Sequence, residues 1–146
     1  VARELRIVAT LLVALVLSVA CGNDDETPEA FPAACTLPSP EPGVDTSSVP
    51  EEFVLEGSEI RQVSDEKDLF VVALNVPVGV DEAFRAYRRQ LSPPDYEIVS
   101  EDFEGFEAEL FLRRAEDGKL MAVQIRRPNC SEASAVFVTV AKKVKG

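Results

Sequence analysis

From about residue 51 onward, apolar and polar positions fall into short periodic blocks. Leu69–Val76 (Leu-Phe-Val-Val-Ala-Leu-Asn-Val) is an almost continuous apolar run, the pattern of a central strand covered on both faces. Glu59–Ser64 precedes it across the polar stretch Asp65-Glu66-Lys67-Asp68, and the two together predict a hairpin. Pro77 and Gly79 end the second strand. The period then changes: Val80, Phe84, Tyr87 and Leu91 recur at spacings of four, three and four, which predicts a helix over Glu82–Leu91 with one apolar stripe. Arg85, Arg88 and Arg89 lie off that stripe. Asp81 stands where a carboxylate can accept hydrogen bonds from the first free amides, and Ser92-Pro93-Pro94 stops the helix.

A period of two returns afterwards. Tyr96–Phe103 alternates in part, and Glu104-Gly105 can turn the chain. Phe106, Ala108, Leu110 and Leu112 alternate with Glu107, Glu109, Phe111 and Arg113, a half-buried strand in which Phe111 breaks the polar series. Glu116-Asp117-Gly118-Lys119 is a strong turn signal. Met121, Val123 and Ile125 then form one face, as do Val136, Val138 and Val140, with Phe137 and Thr139 opposite. Two strands, one helix and three or four further strands predict an α+β domain. A single helix packs on one face of a mostly antiparallel sheet of five to six strands, a two-layer arrangement. One helix covers only one face, so the second must be mostly polar or must meet something. Phe111 and Phe137 fall on that second face.

The first half of the chain reads differently. Val1–Arg6 carries two arginines and is followed by the apolar run Ile7–Val16, continuing to Ala20. That is short of the roughly 20 residues a spanning helix needs and matches the apolar region of an export signal. Leu17-Ser18-Val19-Ala20-Cys21 resembles the lipobox of bacterial lipoproteins, small residues immediately before an obligatory cysteine. The resemblance implies cleavage before Cys21, a diacylglyceryl group on its sulfur, and a membrane-anchored protein on the extracytoplasmic face. Gly22–Pro50 holds six of the ten prolines, six acidic residues and no lysine or arginine, so it is expected to be a disordered acidic tether. The organisation is then a signal over 1–20, lipidated cysteine and tether over 21–50, and a small domain over 51–146.

Charge narrows the choice of partners. The net charge is −11, and the chain has no histidine. A surface this acidic is repelled by nucleic-acid phosphates and by anionic lipid headgroups, so nucleic acid is not an expected partner and membrane attachment must come from the lipid at Cys21. Without histidine there is no Ser-His-Asp or Cys-His machinery and no His-based zinc site. With Cys21 lipidated, Cys35 and Cys130 remain, and two cysteines in an exported chain are expected to pair. Such a bond would pin the end of the tether to the loop Pro128–Ser134.

Other constellations are weaker. Glu107 and Glu109 share a strand face and could hold calcium with help from Glu101; Asp102 and Glu104 complete an acidic group in which a pair could hydrolyse glycosides. The plainer reading is a solvated strand face. Arg113 and Arg126 should lie close together if their strands form a hairpin, and could hold an anionic group. Ala86-Tyr87-Arg88-Arg89-Gln90-Leu91, followed by Tyr96-Glu97-Ile98, resembles a small α+β module of actinobacterial envelope lipoproteins, which implies the fold and no chemistry. The expected function is therefore a non-enzymatic, surface-tethered binding module without cofactor or metal. It would meet an unknown protein or envelope partner through the face around Phe111 and Phe137. A carboxylate-dependent envelope hydrolase and a carrier of lipid or another small ligand are the alternatives.

Overall fold

The computed structural model describes residues 35–142. The signal segment, Cys21 and the first part of the tether lie outside them. Six strands form one antiparallel sheet: β1 (Glu59–Asp65), β2 (Leu69–Val76), β3 (Tyr96–Phe103), β4 (Glu107–Arg114), β5 (Leu120–Arg126) and β6 (Ser134–Ala141). Their spatial order is β1-β2-β6-β5-β4-β3. The helix, α1 (Val80–Gln90), carries the chain from β2 to the far edge, and β3 to β6 then return strand by strand until β6 pairs with β2. This is the α+β arrangement expected from the pattern, with one helix on one side of an open sheet.

The alternation decides which side. Val72, Leu74 and Val76 of β2, Val136 and Val138 of β6, Val123 and Ile125 of β5, and Leu110 and Leu112 of β4 all point under the helix and are buried. Leucine, valine and isoleucine side chains each gain about 1.5–3 kcal/mol on full burial, so this face organises the fold. From above, α1 lies over β4 and β5 and contributes Val80, Ala83 and Tyr87, with Leu91 buried just beyond its end. Phe84 lies at the margin against the Phe103 ring, with centroids 5.5 Å apart.

A lone helix leaves the β1–β2–β6 half of that face short of cover. A 3-10 turn, Glu51–Phe53, supplies it: Phe53 and Leu55 are buried, and Val49 and Val54 pack against the same core. The folded domain thus begins earlier than expected. From Cys35 on, the segment assigned to a tether through Pro50 lies against the domain, because Val49 has a core to join and the backbone before it finds hydrogen-bond partners. Thr36 N–H donates to Asn129 Oδ1 (3.0 Å), Glu41 N–H to the Arg61 carbonyl (2.9 Å), and Asn75 Nδ2 to the Pro38 carbonyl (2.9 Å). A disulfide joins Cys35 to Cys130, with Cα atoms 5.3 Å apart.

Two local expectations are corrected. The helix begins at Val80 with Gly79 at its cap position, and Asp81 makes no capping bond; its carboxylate accepts from Arg85 one turn on, at 2.8 Å. Second, β3 carries a bulge between Ile98 and Ser100. An extra residue in one strand reverses the inside–outside parity of everything after it.

Candidate functional site

The face away from α1 is built from the other half of each alternation. Register places Ser100, Phe111, Ala122, Thr139, Val71 and Ser64 in one row across all six strands, and Asp102, Glu109, Gln124, Phe137, Ala73 and Gln62 in the next. Phe111 and Phe137 therefore do share the outer face. They stand two strands apart, roughly 10 Å at the usual strand spacing, and one row out of step.

The two halves of this face differ. Over β1, β2 and β6, residues Cys35–Glu41 form a strap. Asn75, an outer-face residue of β2, is only 1 % exposed beneath it, its amide shared between the Pro38 carbonyl and Glu59 Oε2 (3.3 Å). Phe137 is half-buried, its ring 5.4 Å from the Arg61 guanidinium carbon, a cation–π contact that engages it within the domain. Over β3, β4 and β5 no such cover exists among the described residues. Val99, Phe111 and Leu120 are 50 %, 44 % and 54 % exposed there and line one shallow depression of about 360 Å³ with Ser100. The bulge turns Val99 and Ser100 toward this hollow.

Around the depression the residues are polar. Arg113 donates to Glu97 Oε2 (3.1 Å), Gln124 Nε2 to Glu109 Oε1 (2.7 Å), and Asp102 Oδ1 accepts from the Phe103 amide (2.9 Å). The acidic group does not assemble as expected. After the bulge Glu101 sits opposite Leu110 on the helix side, where it pairs with Arg88 at 2.8 Å; Glu107 and Glu109 remain on the outer face, and Glu104 is in the turn. Among the described residues, the one set of three potential ligand atoms within reach of one another is Cys35, Cys130 and Glu132, and both sulfurs are committed to the disulfide.

Arg113 and Arg126 do not meet either. The turn at 115–119 sets Arg113 opposite Leu120 and Arg126 opposite Glu107, at opposite ends of the hairpin and roughly 20 Å apart at the usual rise per residue. A different charged cluster forms at that turn, one the sequence reading passed over as turn chemistry alone. Asp117 accepts two bonds from Arg114 (Nε 3.0 Å, Nη2 2.7 Å) and pairs with Lys119 at 2.8 Å, which holds its carboxyl well below the usual carboxylate range. Gly118 supplies the positive φ of 71° that closes the turn. The readable signal was a basic residue three positions before Asp117 and another two positions after it.

No family model, curated protein or solved structure matches this chain.

Proposed function

We propose that the chain is an exported lipoprotein, anchored through a lipid on Cys21, whose domain is a non-enzymatic module that docks a protein on the bare half of its sheet. The observation that carries the docking surface is the exposure of Val99, Phe111 and Leu120 together in one depression on the face that neither α1 nor the strap covers. A contiguous exposed apolar patch inside a polar margin has the anatomy of a protein–protein interface. The margin also selects among occupants. Glu97, Asp102 and Glu109 lie around the patch in a chain of net charge −11, which disfavours an anionic lipid surface. The shallowness of the hollow disfavours a small molecule, which needs enclosure. For the anchor, the support is the charged start, apolar run, small residues and cysteine in lipobox order.

A photo-crosslinking residue at position 120 of the full-length chain, in its native membrane, tests the surface. The expected result is one defined protein adduct that Phe111→Asp abolishes, with none from the same probe at position 85. Absence of an adduct, or one indifferent to Phe111→Asp, overturns the proposal. Intact-mass measurement of the same preparation should give a chain starting at Cys21 with a diacylglyceryl increment; an unmodified Cys21 removes the anchor from the reading.

A further inference from the structure

A second concavity lies at the end of the sheet, on the helix side and away from the bare face. Phe53, Phe70 and Val140 form its floor, Ser48 and Pro50 its roof, and the volume is about 280 Å³. Phe53 and Val140 are buried and Phe70 is packed against the core, so the floor is fixed by the fold. Three cations from three different strand ends line the mouth: Arg114 at the end of β4, Lys119 before β5 and Lys142 after β6. All three side chains are part-buried. Lys142 pairs with Asp65, which also lines the mouth, while Asp117 engages the other two cations.

The charge count is the point. Three cations face two carboxylates, leaving one positive charge unmatched at the mouth of an apolar hollow, in a chain whose net charge is −11. Donors also remain. Arg114 uses Nε and one Nη2 hydrogen on Asp117, and each lysine ammonium spends one of its three hydrogens on a carboxylate. We infer that this cleft binds a small amphipathic monoanion, a short-chain or single-ring carboxylate, with its apolar body on Phe53, Phe70 and Val140 and its head among Arg114, Lys119 and Lys142. The size class follows from the volume, which falls just under the usual range of about 300–1,000 Å³ for small-molecule sites. A lipid with two full acyl chains does not fit.

Calorimetric titration of the full-length chain in zwitterionic nanodiscs, with empty nanodiscs as blank, tests the site. Octanoate is the probe and 1-octanol its uncharged counterpart. Saturable octanoate binding is expected, at least tenfold tighter than that of octanol. The double variant Lys119→Gln/Lys142→Gln should weaken octanoate at least tenfold and leave octanol unchanged, while Lys119→Arg/Lys142→Arg restores it. Thermal melting of each variant confirms that the fold is intact. Heat no greater than the blank, equal binding of octanol, or unchanged affinity in the Gln double variant overturns the inference. So does loss of octanoate binding in Phe111→Ala, which would place the anion on the sheet face instead.

Discussion

Tyr87 and Tyr96 are the only tyrosines of the chain, and the fold keeps both phenols neutral. Tyr87 is fully buried and donates to the Phe53 carbonyl at 3.0 Å; Tyr96 donates to Glu52 Oε1 at 3.1 Å. Burial raises both, and for Tyr96 the Glu52 carboxylate adds to it, pushing its pKa up to about 12. Because the protonated form is favoured in the folded state, this stabilisation is complete below the unfolded value near 10 and is lost as pH rises through the folded value of about 12. With no tryptophan to interfere, absorbance at 295 nm should show no tyrosinate near pH 10 in the folded protein. Two ionisations near pH 10 should appear in urea, and a folded chain titrating one tyrosine there would contradict the burial. The outer-face placement of Phe111 and Phe137 was legible because no bulge interrupts the alternation from Glu107 onward. Glu101 was not, because a single extra residue at the bulge carries no compositional mark yet moves it to the opposite face. Arg113 and Arg126 were misjudged with the signal in plain view: a turn at residues 116–119 fixes them at opposite ends.

At the level of elements, the strands followed the pattern because five of the six alternate or run apolar between clear turn signals. The start of α1 did not follow it, and the reason is space. A Cβ on Gly79 would lie 2.5 Å from the Ser131 carbonyl oxygen, so only glycine lets the loop after β5 pass over the helix start. Such a contact is between elements distant in sequence, and local capping rules that favour Asp81 do not see it. Gly79→Ala should force the backbone at Ser131 to move. Overpacking of this kind costs roughly 1–3 kcal/mol. A fall in the urea midpoint at unchanged slope would report it. Unaltered stability would mean that the loop gives way freely. The same substitution at Gly118 fails for another reason, its positive φ, with nothing nearby to clash.

Across the whole molecule, the strap shows which interaction dominates. Each backbone hydrogen bond holding residues 36–41 contributes about 0.5–1.5 kcal/mol net. The disulfide closes a separation of 95 residues, worth roughly 4–5 kcal/mol against the unfolded chain in the loop-entropy treatment. That loop contains nearly the entire domain, so the bond stabilises the fold as a whole and holds the strap in place as a by-product. Cys35→Ser/Cys130→Ser should therefore lower global stability by an amount of that order. It should also let a glutamate-specific protease cut at Glu41 well before the sheet unfolds. Cleavage at Glu41 no faster than in the parent chain would show that the hydrogen bonds alone suffice.

The position of that bond also sets how the domain responds to a mechanical pull along the chain preceding Cys35. Tension entering at Cys35 passes through sulfur to Cys130, in the loop joining β5 and β6, the two middle strands of the sheet. It does not reach the strap or β1, so the edge strand is not unzipped one hydrogen bond at a time. The part of the molecule nearest the leash stays slack, and the load is borne by the middle of the sheet.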